Sequence, residues 1–238
     1  MPAYVSHTIM AKDVYNKINN KNVNLDYMLT YSLGGDLCKY ARCRYDSHHK
    51  KQEEFIYNIC DYMKENNLTK DSECLGFLYG HICHLMMDQI IHPVIRTIDK
   101  SCIKNKNNHT MIELYYDNYL SKNKFNNRID KYDNRVINAK SNKKISNMIN
   151  SVYLKTYNCK NISFYYKFNL FLYRRIKLLY KLFSFNFLKK ISGMNRFLNN
   201  NKNCFNKKIC NDLDKSYDKS VKESIDFINK VNKYLNII

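Results

Sequence analysis

The chain has no tryptophan, only five glycines and only two prolines in 238 residues. That is too few turn formers for a many-stranded sandwich or barrel of this length, and the apolar residues recur at helical rather than alternating spacing. The expectation is an all-α fold. No uncharged apolar run approaches the ~20 residues that cross a bilayer, and no basic segment followed by an apolar one opens the chain. A soluble or at most peripheral, cytoplasmic protein is expected. The nine cysteines include no CxxC pair, so they read as reduced thiols rather than as a disulfide framework or a structural zinc knot. No glycine-rich phosphate loop, GxSxG elbow or HExxH occurs, and the function classes those motifs carry lose their support.

What is present is an uneven charge. The formal net charge is +19, yet residues 1–118 carry 14 basic against 14 acidic side chains, while residues 119–238 carry 26 against 7. All seven histidines (7, 48, 49, 81, 84, 92 and 109) lie in the neutral half. The length suits one sizeable core, with residues 1–120 as the ligand-bearing part and residues 121–238 as a basic half that completes the same domain. A basic surface suits an anionic partner, whether a phosphate ester, a membrane surface or nucleic acid. The plain alternative is a coding bias toward Lys, Asn, Ile and Tyr.

The most informative stretch is Gly80 to Pro93. On a helix at 100° per residue, His84, Asp88 and His92 stand at i, i+4 and i+8, and His81 falls in the same arc. Burying such a face without partners is costly, and imidazoles with a carboxylate are ligands that zinc accepts.

Around it the periodicity predicts a first helix from Ser6, its N-cap, and a short one over Leu25 to Tyr31 that ends in Gly34-Gly35-Asp36. A helix from about His48 to Asn66 follows, then a central one from Thr69 or Asp71 to His92, broken or kinked by Pro93. His109 starts the next, with Glu113 at i+4. Weaker helices are expected around Ile129 to Ala139 and Ile145 to Tyr157. Phe164 to Ile191 is aromatic, leucine-rich and basic, which reads either as a core helix with a solvated face or as a peripheral membrane contact. Asp212 to Asn236 closes the chain as an amphipathic helix.

The candidate ligands in chain order are His7, Asp36, His48 or His49, His84, Asp88, His92, His109 and Glu113, each on or beside a helical segment. A helical bundle can converge such residues on one interior site. Two zinc ions about 3.5–4 Å apart can hold the attacking and leaving oxygens of a phosphodiester, and Asp88, with two oxygens, is the natural bridge.

The pattern G-x-I-C-His84-x3-Asp88-x3-His92-P, with Met-Pro and His7 before it, a Gly-Asp36 turn, a His opening the next helix and His109-x3-Glu113 after it, resembles the zinc-dependent phospholipase C family, which is related to the P1 nucleases. The resemblance covers roughly residues 1–120. It implies an all-α, single-domain helical bundle with two or three zinc ions, in which a metal-bound hydroxide attacks phosphorus. Asp36, His48, His84 and Asp88 would hold one zinc, with Asp36 as general base. His92, His109 and Glu113 would hold a second, and His7 with Asp88 a third. Secreted members complete that third site with an N-terminal Trp, which this chain lacks; removal of Met1 would let the Pro2 nitrogen and carbonyl serve instead. Spacing leaves His48 and His49 open, and the resemblance favours His48 with His49 turned outward. His81 is outside the family's ligand set and is either a supporting hydrogen-bond partner or a packed histidine.

The substrate so implied is a phosphate ester, phospholipid among the choices. The rival readings are a metal-stabilised protein without turnover and a P1-type nuclease; no nucleic-acid reading module is recognisable in the chain.

Overall fold

The computed structural model describes residues 4–20, 22–102, 109–125, 137–140, 142–182 and 207–237. Among the described residues every regular element is helical. The elements are α1 (Tyr4–Lys17), α2 (Leu25–Tyr31), a 3-10 turn (Gly34–Cys38), α3 (Arg44–His49), α4 (Gln52–Glu65), α5 (Ser72–Cys102), α6 (His109–Phe125), α7 (Lys143–Tyr157), α8 (Ile162–Leu182) and α9 (Lys207–Tyr234).

The centre is α5. Asp71 caps it, its carboxylate accepting from the amides of Glu73 and Cys74 at 3.1 and 3.0 Å, as expected of an Asp that precedes a helix. Leu75, Leu78, Ile82, Cys83 and Met87 are buried along its length. On one side α2 lies against it backbone to backbone. Gly76 and Gly80, one turn apart, make this possible: a Cβ at either position would stand 2.6 Å from a carbonyl oxygen of the α2 segment, Asn24 O or Met28 O. On the other side α9 supplies Phe227, Ile228 and Val231 to the core. Tyr79 of α5 and Asn232 of α9 share a short hydrogen bond.

Several sequence expectations change. Pro93 does not end the central helix, which continues to Cys102. The proline is on the exposed side, where a carbonyl that loses its amide partner stays hydrated, while Ile91, Ile95 and Ile98 keep the extension anchored in the core. Ser6 lies inside α1 rather than capping it. The single helix expected from His48 to Asn66 is two: Lys51, with φ +52°, sits in the left-handed region between α3 and α4 and turns the chain, leaving His48 and His49 at the end of α3. The helix expected around Ile129 to Ala139 falls mostly outside the described residues. Of its end, Ala139 donates to Thr30 Oγ1 at 3.2 Å, and the carbonyls of Ile137 and Ala139 accept from Arg174. The part of the basic segment beyond Leu182 also lies outside the described residues. Among the described residues no helix is long and apolar enough to cross a membrane.

Because the α2–α5 contact has no room for a methyl group, Gly80→Ala should lower stability by about 1–3 kcal/mol. Chemical denaturation monitored by circular dichroism checks this; an unchanged midpoint would contradict it.

Candidate metal centre

Helix α5 carries His84, Asp88 and His92 on one stripe, and both imidazoles reach the carboxylate: His84 Nε2 lies 3.3 Å from Oδ2 and His92 Nε2 3.1 Å from Oδ1 of Asp88. From α1, His7 brings a third imidazole, its Nε2 3.4 Å from Asp88 Oδ1. Glu113 of α6 approaches from another side, with Oε1 3.9 Å from His92 Nε2. His7, His84 and Glu113 are all buried.

The Gly34–Cys38 turn packs on the cluster. Gly34 has φ +43°, and a Cβ there would stand 2.2 Å from the His84 ring; a Cβ on Gly35 would stand 2.9 Å from His48. Only glycine lets the turn lie flat on the two imidazoles and hold Asp36 beside them. His48, at the end of α3, faces Asp36 with Nε2 3.2 Å from Oδ1, while its Nδ1 donates to the Arg44 carbonyl at 2.8 Å. That backbone bond anchors the ring and leaves Nε2 directed at the site. The His7 and His84 rings lie 4.6 Å apart, and those of His48 and His84 5.8 Å apart. Ligand atoms of His7, Asp36 and His84, and likewise of His48, His84 and Asp88, fall within 4.8 Å of one another.

The electrostatics follow from this crowding. Burial and the neighbouring His84 lower the His7 imidazole to about 4. Burial alone would raise the carboxyls, but His84, His92 and His7 hold Asp88 far below its ordinary range, and His48 and His84 hold Asp36 down. The cluster is therefore anionic at its two aspartates and lined by at least one neutral imidazole. Both nitrogens of His84 and Nδ1 of His7 are buried without a hydrogen bond. Unsatisfied buried nitrogens are costly, and nitrogens gathered with carboxylates on a common point are the donor set of a zinc site. The residues fit the metal.

Two other histidines leave the set. His81 is buried, but its nitrogens meet the Phe77 carbonyl at 3.0 Å and the Tyr166 hydroxyl at 2.8 Å, and Tyr166 in turn meets Tyr153 at 2.9 Å. Of the two readings offered for it, His81 is the packed histidine: it links α5 to α7 and α8 and bonds no ligand carboxylate. His49 is exposed and rests on Tyr45, ring centroids 4.6 Å apart. Its ring centroid also lies 6.3 Å from that of His48. His109 opens α6, but its side chain, like Pro2, lies outside the described residues.

One residue escaped the sequence reading. Asp117 is buried in α6, one turn beyond Glu113, and its carboxylate accepts from the amides of Ser6 at 2.8 Å and Val5 at 3.4 Å. It thereby occupies the capping place expected of Ser6 and fixes the start of α1, where His7 sits. Its i+4 spacing from Glu113 was the available signal, but a carboxylate that bonds backbone rather than metal looks the same in sequence.

A family model described as zinc dependent phospholipase C matches residues 6–163, a span that runs from α1 into the start of α8 and contains every candidate ligand from His7 to Glu113. Among curated proteins and among solved structures, nothing matches the chain.

Asp117→Ala leaves a buried Ser6 amide unpaired and should cost about 1–3 kcal/mol in chemical denaturation, with Asp117→Asn milder because one acceptor survives; equal losses would contradict the capping role. For His81, burial lowers the imidazole from 6.5 to about 3. Between those values the unfolded chain binds a proton that the folded chain refuses, so stability falls as pH drops below 6.5, by about 1.4 kcal/mol per pH unit from this group. Metal-free protein titrated from neutral to acid should show a slope shallower by one proton in His81→Gln than in the wild type.

Proposed function

The chain belongs to the zinc-dependent phospholipase C family, and on that ground we propose that it hydrolyses phosphate esters at the centre built on Asp88. The observation that carries this reading is the buried His84, whose two nitrogens make no hydrogen bond and stand among His7, His48, Asp36 and Asp88. Asp36, His48, His84 and Asp88 would hold one zinc. His92, His109 and Glu113 would hold a second, and His7 with Asp88 a third. When bound, zinc supplies a Lewis acid that makes water more acidic and offsets charge on phosphate oxygens.

The chain's own groups do the rest. Asp88, facing three imidazoles, bridges the two sides of the cluster. Asp36 is the more exposed of the two aspartates, with its side chain 35% accessible against 13% for Asp88. It is therefore the aspartate that water and substrate reach, and as general base it takes the proton of the attacking water. His48, anchored by its bond to the Arg44 carbonyl, stands with Nε2 3.2 Å from that carboxylate. His7, fixed on α1 by the Asp117 cap, closes the inner wall. The substrate class is a phosphate ester, with phospholipid the choice that the family's name supports.

Zinc-loaded protein should turn over phosphatidylcholine or a chromogenic phosphodiester, and Asp88→Asn and His84→Ala should lower that rate by more than about 100-fold, since each removes a donor at the centre of the set. Turnover equal to that of the variants would overturn the proposal. Stoichiometric zinc without turnover would instead favour a metal-stabilised binding protein, and cleavage of single-stranded nucleic acid alone would favour a nuclease.

A further inference from the structure

Helix α8 is apolar on two opposite faces. One face is accounted for: Tyr166, Leu170 and Tyr173 are buried, and Asn169 donates to the Leu37 carbonyl at 3.0 Å, docking the helix on the turn that carries Asp36. The other face needs a reason. Phe164, Phe168 and Phe171, at i, i+4 and i+7, are 64%, 43% and 50% exposed, and Tyr40, four residues after Asp36, joins them at 52%. The Tyr40 and Phe168 rings meet edge to face with centroids 5.9 Å apart, and Phe164 lies parallel to Phe168 at 6.5 Å. Four large rings in one exposed cluster exceed what scattered surface hydrophobics explain.

The cluster's surroundings are basic. Arg175, at i+11 on the same stripe, lies 4.9 Å over the Phe171 ring; Lys39 lies 5.8 Å from the Tyr40 ring; Lys167 is exposed beside Phe168. No acidic residue occurs between Asp133 and Asp212. A ridge of rings flanked by cations, on a helix with no acid of its own, matches a surface that is apolar beneath and anionic above.

We propose that this face of α8, with Tyr40, docks on a phospholipid bilayer bearing anionic headgroups, the rings entering the acyl boundary and Lys39, Lys167 and Arg175 meeting the phosphates. Nucleic acid fits less well. Stacking platforms offer open ring faces to successive bases, whereas here Tyr40 meets Phe168 edge to face and Arg175 covers the Phe171 ring. As a way of bringing the Asp36 turn to a lipid substrate, the surface rests on the phosphate-esterase reading; as a lipid-binding surface it is separable from it.

Sedimentation of the full chain with vesicles tests this, and needs no turnover. The protein should pellet with vesicles of phosphatidylcholine and phosphatidylglycerol, more weakly with phosphatidylcholine alone, and less as salt rises. Partitioning should fall about tenfold or more in the triple variant F164S/F168S/F171S and several-fold in K167E/R175E. All five positions are solvent-exposed, so circular dichroism and zinc content should match the wild type. If the triple variant alone misfolds, the charge-reversed one still decides. No pelleting with anionic vesicles at low salt overturns the proposal, as does pelleting that neither variant weakens. Binding to RNA that the phenylalanine changes leave intact, with no vesicle binding, overturns it in favour of nucleic acid. Self-association lost with the three phenylalanines, again with no vesicle binding, overturns it in favour of a second copy. A protein that pellets but hydrolyses nothing keeps the surface and loses the esterase; one that hydrolyses a soluble phosphodiester but stays in the supernatant does the reverse.

Discussion

One carboxylate gathers three imidazoles, two of them buried. Asp88 offers two oxygens, and His7, His84 and His92 each present Nε2 to it within 3.4 Å. Both His84 nitrogens remain without a hydrogen bond. In the interior such a group is destabilising unless a cation completes it, so much of the architecture makes sense as the means of gathering these donors. Helix α1 contributes His7, and α5 contributes three residues on one stripe. The glycine turn contributes Asp36, α3 contributes His48 and α6 contributes Glu113. The positions that tolerate no side chain, Gly34 and Gly35, are those where the turn is laid on the rings of His84 and His48.

The same demand explains the less obvious supports. Asp117 gives up its carboxylate to two backbone amides at the start of α1 and thereby places the residue that follows them, His7. His48 uses its remote nitrogen on the Arg44 carbonyl, which frees the near one for the site. His81 lies on the same arc of α5 as the ligands, yet its partners turn it to the core, where it ties the central helix to Tyr166 and, through it, to Tyr153.

Helical periodicity and the scarcity of glycine and proline were enough to read the all-α class, and the i, i+4, i+8 spacing was enough to put His84, Asp88 and His92 on one face. Placement across elements was not legible. That Glu113 reaches His92 and His7 reaches Asp88 depends on how α6 and α1 cross α5, which no local pattern encodes. The break between His49 and Gln52 rests on a left-handed Lys51, a conformation that nothing in lysine favours. The passage of α5 through Pro93 depends on which side of the helix faces solvent. His81 shares the ligands' arc, and whether it supports a ligand or packs in the core was open because geometry on an isolated helix cannot distinguish an inward metal site from an inward tyrosine.

Metal content is the most direct test of the central claim that this cluster is built to hold cations. Elemental analysis of the chain purified without chelator should find two or three zinc ions per molecule. Folded protein that carries no zinc, and takes up none when zinc is supplied, would contradict it.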